Sequence, residues 1–311
     1  MVSNAVMANQ YSTVIVFGPT GDVGGAAALE ASKRGAKVWL AMRNPEKSIN
    51  GITKEEEQAG RFERIQADLT DPDSVKKAVQ QSGAKAAYLY HVSGMGASIG
   101  ALKEAGIEYV VFLSSFSIKP DQDLRQIPQH NFIPYMHGQI EVALQDADLP
   151  YTALRPAYFA TNFLKLNLDT SQKPYKFKHP FPNLRTDCIV PNDIGRVGGA
   201  VLVNRPSLAS KEVIYLCGPR LINQEEQLNV LNRVLGQNIE FDRQGPQEYR
   251  DFMVGRGFPA PVVDYLVDDM SDQKAATWYP DSWEEWTSNI KKYSGYEPTS
   301  FEEFAKTQKL D

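Results

Sequence analysis

The stretch VIVFGPTGDVGG, residues 14–25, places four glycines within eight residues, directly after a run of apolar residues. Gly18, Gly21 and Gly24 follow one another at intervals of three. The residues before Gly18 favour a buried strand, and those after Gly21 favour a helix that closes at Gly35. In this strand–turn–helix context, such a glycine spacing indicates a turn that binds phosphate groups.

Each glycine has its own physical role in that interpretation. Gly18 permits the tight turn that leaves the strand, because glycine adopts backbone angles that other residues avoid. Gly21 lets the backbone approach a pyrophosphate, and Gly24 lets the helix pack closely on the sheet. The helix N-terminus then offers free amide hydrogens and a partial positive charge to the phosphates. The motif therefore predicts that the chain binds a dinucleotide.

The end of the second strand bears on which dinucleotide is bound. An NAD site usually has Asp or Glu there, about 20 residues after the glycines, to hold the ribose hydroxyls. Here the stretch KVWLAMRN, residues 37–44, contains no acid; Arg43 occupies the region and Lys47 is nearby. A guanidinium suits a 2′-phosphate through bidentate, charge-assisted hydrogen bonds. We therefore expect NADP(H), the alternative being that Arg43 is an ordinary solvated surface residue.

The rest of the chain predicts the fold class. Strand and helix patterns alternate through the first half, which is typical of βαβ units and an α/β, doubly wound parallel sheet of the Rossmann type. The pattern breaks into a segment rich in proline and aromatic residues, resumes, and becomes helix-rich after Gly218. We expect a Rossmann domain formed by residues 11–165 and 191–218. Residues 166–190 and 219–311 would form a smaller, mostly helical lobe.

Composition excludes several classes of protein. The 311 residues are 42% hydrophobic and 23% charged, as in soluble globular proteins. A net charge of −5 gives the whole chain no basic surface for nucleic acid or anionic lipid. Cys188 and Cys217 form no paired motif, so we interpret both as reduced and expect no metal site. No secretory signal and no apolar run of roughly 18 residues is present, so we expect a cytoplasmic protein without a membrane partner.

Six segments together resemble the NmrA-like family of atypical short-chain dehydrogenases/reductases. The resemblance covers roughly residues 14–203 and is weak over the C-terminal third. The segments are VFGPTGDVGG, AMRNPEK, ADLTDPDSV, VVFLSSF, IEVALQDADLPYTALRPAYFATNF and PNDIGRVGGAVL.

The resemblance implies cofactor contacts at matching positions. Those for the pyrophosphate are Gly18, Thr20, Gly21, Asp22, Val23 and Gly24, and those for the 2′-phosphate are Arg43 and Lys47. Asp68 and Leu69 would face the adenine, His91, Val92 and Ser114 would line the nicotinamide side, and Pro156, Ala157 and Tyr158 would close over the nicotinamide. The alternatives are that Asp68 only caps a helix and that His91 is a satisfied histidine at a strand end.

The helix after the fifth strand bears on catalysis. Reductases of the wider superfamily use Tyr-x-x-x-Lys there, whereas NmrA-like sequences more often keep the lysine and lose the tyrosine. Tyr135 and Gln139 keep the spacing with Gln in place of Lys, and residues four apart share a helix face. Gln139 would then hold the ribose without charge, and Tyr135, with Ser114, would act as a neutral proton donor. Alternatively, Tyr135 is merely an amphipathic residue at a helix start. We expect His137 on a different face, at the surface or a pocket rim.

Three functions remain open from the sequence. The first is an NADPH-dependent reductase of a small aromatic or apolar carbonyl or enone compound, supported by Tyr135 at the catalytic spacing. The second is an NADP(H)-sensing regulator that binds a protein partner without turnover, supported by the missing lysine. The third is an isomerase or cyclase that retains its cofactor. The sequence does not identify the substrate.

Overall fold

The computed structural model describes residues 10–49, 51–59, 61–271, 278–279 and 283–310. Its central element is a seven-stranded parallel sheet with the order β10-β6-β5-β4-β1-β2-β3. The strands are β1 (Thr13–Phe17), β2 (Lys37–Met42), β3 (Phe62–Gln66), β4 (Ala86–Tyr90), β5 (Tyr109–Leu113), β6 (Tyr151–Pro156) and β10 (Lys211–Leu216). The predicted doubly wound sheet is confirmed.

Helices cover both faces of this sheet. The helices that lie in the connections between its strands are α1 (Asp22–Lys33), α2 (Lys54–Ala59), α3 (Pro72–Ser82), α4 (Gly96–Glu104), α5 (Phe132–Asp146), α6 (Ala160–Asn167) and α7 (Pro191–Val203). α1 and α7 pack on one face and α3, α4 and α5 on the other, each over its own apolar core. Buried faces on both sides explain why the strands carry continuous runs of Val, Ile, Leu and Ala.

α1 and α7 approach each other closely because α7 has glycines at the contact. A Cβ on Gly195 would overlap the Ala26 side chain, and a Cβ on Gly199 would overlap the carbonyl oxygen of Ala27. The two glycines are four residues apart and therefore lie on one face of α7. The orientation of α1, whose N-terminus follows the glycine motif, thus depends on a helix from the second half of the chain.

The part of the chain that was expected to form a smaller lobe contains both helices and short strands. Its helices are α8 (Gln224–Leu235), α9 (Pro246–Gly255), α10 (Ala260–Asp269), α11 (Trp283–Ser294) and α12 (Phe301–Thr307). Its strands are β7 (Leu168–Asp169), β8 (Lys176–His179), β9 (Arg185–Thr186), β11 (Ile222–Asn223) and β12 (Glu240–Arg243), which form one three-stranded and one two-stranded sheet. Residues 166–190, which were assigned to a mostly helical lobe, therefore supply strands: Phe177 and His179 are buried on alternate positions of β8, and β8 pairs with β12.

The direction of winding fixes where a ligand can bind. The chain runs outward from β1 to β3 on one side and from β4 through β6 to β10 on the other. The order therefore reverses between β1 and β4, and ligands of open α/β sheets bind outside the carboxyl ends of the strands at such a reversal. The sequence-based expectations for residues 1–9, 272–277, 280–282 and 311 lie outside the described residues.

Candidate active site

Three adjoining cavities follow the carboxyl ends of the strands across the reversal between β1 and β4. They have volumes of about 400, 340 and 330 Å³. The first and second share Gly18, Thr20 and Tyr90 as walls, and the second and third share Leu113, Phe159 and Asn162. They therefore form one continuous cleft, long enough to take an extended ligand.

The second cavity, here called the glycine cavity, is built around residues 18–24. Gly18 has a φ of +70°, and a side chain there would overlap the Tyr90 ring. A Cβ on Gly24 would overlap the carbonyl oxygen of Gly18, so the first turn of α1 packs directly on the loop. A Cβ on Gly21 would meet only that same oxygen, at 3.5 Å, on the wall of the cavity. The expected tight turn at Gly18 is confirmed, while Gly24 serves loop–helix packing more than helix–sheet packing.

This loop fits a pyrophosphate. α1 begins at Gly21 without a side-chain cap, so its first amide hydrogens have no side-chain acceptor. Such a helix end attracts anions through these amides and the helix dipole. Thr20, Asp22 and Val23 also line the cavity, as expected from the sequence. Because Gly21 has no side chain, the space in front of the amides is open to a phosphate.

The first cavity, here called the basic cavity, lies beyond the ends of β2 and β3. Its walls include Arg43, Asn44, Lys47, Asp68, Leu69 and Val92. Arg43 and Lys47 are exposed, and among the described residues neither side chain forms a hydrogen bond or ion pair. Asp68 accepts hydrogen bonds from the Thr70 amide (2.9 Å) and hydroxyl (2.8 Å), which lower the pKa of its carboxyl. The two cations are therefore available to an anionic group.

The third cavity, here called the aromatic cavity, has mostly apolar walls from both domains predicted from the sequence. Pro156, Ala157 and Tyr158 line it, as do Leu113 and Ser114 from the end of β5. The C-terminal part contributes α10 and Trp278. Its apolar and aromatic walls are Leu113, Phe116, Ile133, Pro156, Ala157, Tyr158, Phe159, Leu166, Phe258, Val262, Tyr265, Leu266, Met270 and Trp278. A ligand held here would be largely removed from water.

A buried ion pair lies beneath this cavity. Arg155 on β6 donates to both carboxylate oxygens of Glu141 on α5, at 2.9 and 3.0 Å, and both side chains are almost fully buried. The Ser114 hydroxyl donates to the same carboxylate at 2.7 Å and is itself buried. Ser114 is therefore held by Glu141, which limits its hydroxyl as a catalytic group.

The face of α5 that meets the cleft differs from the expected one. Ile133 and His137 line the aromatic cavity, and His137 therefore lies on a different face of α5 from Tyr135, as expected from the sequence. Tyr135 and Gln139 line a separate surface groove of about 540 Å³, here called the outer groove, together with His91 and Val92. The structure therefore brings Tyr135 and Gln139 together, but on the opposite side of α5 from Ser114. Their catalytic role stays a prediction that this geometry does not favour.

His137 has a defined protonation state in this position. Its Nδ1 lies 2.9 Å from the carbonyl oxygen of Ile133, and because a carbonyl can only accept, Nδ1 carries the proton. The pKa of His137 is lowered to about 4, chiefly by burial and to a smaller extent by the His91 ring, 5.5 Å away between centroids. The neutral imidazole therefore offers Nε2 as a hydrogen-bond acceptor.

Two polar residues of α6 were missed by the sequence analysis. Asn162 lies where the glycine cavity meets the aromatic cavity, and Lys165 lines the glycine cavity. The Lys165 ammonium is 3.0 Å from the Asp22 carboxylate, so it spans from α6 to the start of α1. Asn162 and Lys165 are three residues apart on one helix, and this spacing was the signal that could have found them.

Two negative findings concern the described residues. No group of three or more His, Cys, Asp or Glu side chains in this part of the chain is arranged to hold a metal ion. Nor does any helix in the ranges that the structure describes have the length and apolarity needed to cross a bilayer.

Comparisons with known proteins place the chain among relatives of two kinds. It is 37% identical to the nitrogen metabolite regulation-like protein bik4 of Gibberella fujikuroi, over 96% of this chain and 97% of that protein. It is 23% identical to the (4-alkanoyl-5-oxo-2,5-dihydrofuran-3-yl)methyl phosphate reductase of Streptomyces griseus, over 84% of this chain and 87% of that protein.

The fold has a solved counterpart at low sequence identity. The NADPH-dependent quinone oxidoreductase QOR2 of Escherichia coli, solved with NADPH, superimposes with a TM-score of 0.70 at 19% identity, over 94% of this chain and 98% of that chain. The model of the NmrA-like family matches residues 10–305. With nearly the whole described chain covered by that model, the protein belongs to the NmrA-like family.

Proposed function

We propose that the protein is an NADPH-dependent reductase of a small, largely apolar or aromatic carbonyl or enone compound. The observation that carries this proposal is the continuity of the cleft: the glycine cavity opens into the aromatic cavity through the shared walls Leu113, Phe159 and Asn162. The reductase name of one relative and the NADPH-bound fold counterpart support it. When bound, NADPH would supply the hydride.

Different residues of the cleft would bind different parts of such a cofactor. The amides at the start of α1 would bind the pyrophosphate, and Gly21 keeps the space before them open. Arg43 and Lys47 would bind a 2′-phosphate by charge-assisted hydrogen bonds. His137, as a neutral acceptor at the wall of the aromatic cavity, would hold a hydroxyl group on the nicotinamide side.

The aromatic cavity would select and orient the substrate. Its apolar walls favour the transfer of an aromatic compound out of water, since burial of apolar area is favourable. Ser115 and Ser117 line the same cavity with their hydroxyl oxygens 2.8 Å apart. They are suited to hydrogen-bond a carbonyl oxygen and thereby fix which carbon faces the nicotinamide side. Reduction of a carbonyl also consumes a proton, which a hydroxyl in contact with that oxygen can relay.

The second candidate function is that of an NADP(H)-sensing regulator. It is favoured by the name of the bik4 relative and by Gln139, which stands where the reductase pattern has lysine. In that case the cofactor would bind as proposed, and the aromatic cavity would not be a site of turnover.

Two measurements separate these functions. NADPH binding is titrated by fluorescence, and NADPH consumption is followed against a panel of quinones, enones and aromatic ketones. Val262→Trp would reduce the volume of the aromatic cavity, because Val262 on α10 forms part of its wall. Val254→Trp is the control, since it introduces the same side chain at an exposed position of α9. A reductase should lose turnover in Val262→Trp alone, with unchanged NADPH affinity in both variants. Tight NADPH binding without consumption of NADPH by any compound would instead support the regulator.

A further inference from the structure

The loop that carries Arg43 and Lys47 is held in place by side chains of β3. This loop, residues 43–47, follows β2 and contributes three carbonyl oxygens to contacts with β3 side chains. Arg64 donates through Nη1 to the carbonyl oxygens of Pro45 and of Lys47, the latter at 2.8 Å. Gln66 donates to the carbonyl oxygen of Arg43 at 3.3 Å. Residues two apart in a strand share a face, so both side chains reach the loop from one side of β3.

The charge of Arg64 is neutralised by Glu57, a residue that does not line the basic cavity. Its Nε and Nη2 donate to the two carboxylate oxygens of Glu57 on α2, Nη2 at 2.8 Å. This hydrogen bonding lowers the pKa of the Glu57 carboxyl and raises the pKa of Arg64. Arg64 is also absent from the walls of the basic cavity. Its positive charge is therefore neutralised by Glu57, and its remaining donors hold the backbone of the loop.

The position of the loop determines where Arg43 and Lys47 project. A loop that is mobile before binding loses conformational freedom when it orders around a ligand, and this loss weakens the affinity. The planar guanidinium meets a carboxylate and two carbonyl groups at once, which a lysine ammonium on a flexible stem does not. An arginine at this position therefore holds the cationic loop in place before an anion arrives.

We propose that Arg64 is a positioning residue for cofactor selectivity: by bracing the loop of residues 43–47, it preorganises Arg43 and Lys47 as an anion site for a 2′-phosphate. The proposal rests on the NADPH binding proposed above. It concerns the preference for NADPH over NADH and assigns Arg64 no contact with the cofactor.

The test compares Arg64→Met with Arg61→Met. Arg61 precedes the same strand and donates at 2.8 Å to the carbonyl oxygen of Gly35, at the opposite end of the sheet from the cleft. Dissociation constants for NADPH and NADH are measured by fluorescence. We expect Arg64→Met to weaken NADPH binding about 10-fold, because Arg43 and Lys47 are then no longer held in place before the 2′-phosphate binds, and to weaken NADH binding by less than about 2-fold. Arg61→Met should leave both constants within about 2-fold.

A double-mutant cycle tests whether Arg64 acts through Arg43. If it does, Arg43→Ala combined with Arg64→Met should weaken NADPH by less than the product of the two single effects. Equal weakening of NADPH and NADH by Arg64→Met would show a general structural role and overturn the proposal. Effects of Arg43→Ala and Arg64→Met on NADPH affinity that simply multiply in the double variant would also overturn it. Arg64→Lys keeps the charge but not the planar guanidinium. If Arg64→Met does not fold, Arg64→Lys should give a smaller change in the ratio of the dissociation constants for NADPH and NADH.

Failure of this inference can be told from failure of the proposed cofactor. A wild-type protein that prefers NADH, or an Arg43→Ala variant with unchanged NADPH affinity, would overturn both. A wild-type preference for NADPH that depends on Arg43 but is unchanged in Arg64→Met and Arg64→Lys would overturn only the role of Arg64.

Discussion

The two ends of the cleft recognise ligands by different physics. At the basic cavity, Arg43 and Lys47 are exposed cations on a short loop, and their attraction for an anion is strong but screened by salt. At the aromatic cavity, most walls are apolar or aromatic, the polar residues include Asp269, and His137 is neutral. One end therefore discriminates by charge and the other by shape and desolvation. Changes at the first should alter the choice of cofactor, whereas changes at the second should alter the substrate and stability.

The largest effect is expected beneath the aromatic cavity. Arg155→Met leaves the Glu141 carboxylate buried without its cation, which should lower the free energy of unfolding by about 3–5 kcal/mol. Arg125→Met, which breaks an exposed pair between Arg125 and Asp146 at the end of α5, should lower the free energy of unfolding far less, because exposed ion pairs contribute little to stability. Urea denaturation of both variants provides the measurement. Similar decreases in the free energy of unfolding of the two variants would contradict the conclusion that buried Glu141 depends on its ion pair with Arg155.

The next effect concerns the glycine cavity between the two ends. Gly21→Val places a side chain before the amides at the start of α1, where little else is crowded. NADPH affinity should fall by at least about 100-fold, or roughly 2.7 kcal/mol, with the circular dichroism spectrum retained. Gly96→Val is the control, because a Cβ there meets nothing within 4 Å. Retained NADPH affinity in Gly21→Val would show that the glycines form only a turn.

A third prediction isolates charge at the basic cavity. Arg43→Ala should weaken NADPH by about 1.5–3 kcal/mol, the range for a lost hydrogen bond to a charged group, and should change NADH much less. The difference should shrink as the salt concentration rises, since exposed charges are screened. Titrations of both cofactors at low and high salt test this. Equal losses for NADPH and NADH would remove Arg43 from cofactor selection.

At the aromatic cavity, pH should have little effect near neutrality. Burial lowers the pKa of His137 to about 4, so its imidazole should stay neutral from pH 6 to 8. The unfolded chain, with an ordinary histidine pKa of about 6.5, binds more protons between pH 4 and 6.5, so stability should fall as pH drops through that window. Imidazole NMR resonances assigned with His137→Phe provide the measurement. A titration midpoint near 6.5 would contradict the buried, neutral state.

The smallest effect is expected in the outer groove. Tyr135→Phe removes a hydroxyl that lies across α5 from the aromatic cavity, so turnover should change by less than about 3-fold. The sequence pattern instead assigns Tyr135 as proton donor, whose loss typically lowers rates by about 10²–10⁴-fold. Steady-state NADPH consumption with any substrate of the panel distinguishes the two. A loss in the larger range would restore Tyr135 to the catalytic site.

These contrasts also explain what the sequence could predict. The turn at Gly18 is local, because its backbone angle and the start of α1 depend on neighbouring residues. The doubly wound parallel sheet followed from the alternating pattern of strands and helices. α5 was harder: the spacing correctly put Tyr135 and Gln139 on one face, but which face meets the cleft depends on Glu141, buried against Arg155. That pairing joins residues of separate elements and has no local signal.

Two further features were missed for similar reasons. α2 has no buried residue and therefore no apolar stripe; it is held by a capping box between Thr53 and Glu56 and by the contact of Glu57 with Arg64. The short strand β8 lies between Pro174 and Pro180, so its alternation extends over only a few residues. Such elements are fixed by their tertiary partners.

The glycine-lined contact between α1 and α7 has a consequence for protein synthesis. The chain segment that forms the phosphate-binding turn leaves the ribosome long before Gly195 and Gly199, on which α1 packs. Between Lys33 and Val203 the ribosome adds about 170 residues, which takes roughly 10–30 s at ~5–20 residues per second. During that interval α1 lacks its partner helix, and the apolar face formed by Ala27, Ala28 and Ala31 is open to chaperones. α1 can therefore complete its packing only after α7 has been synthesised.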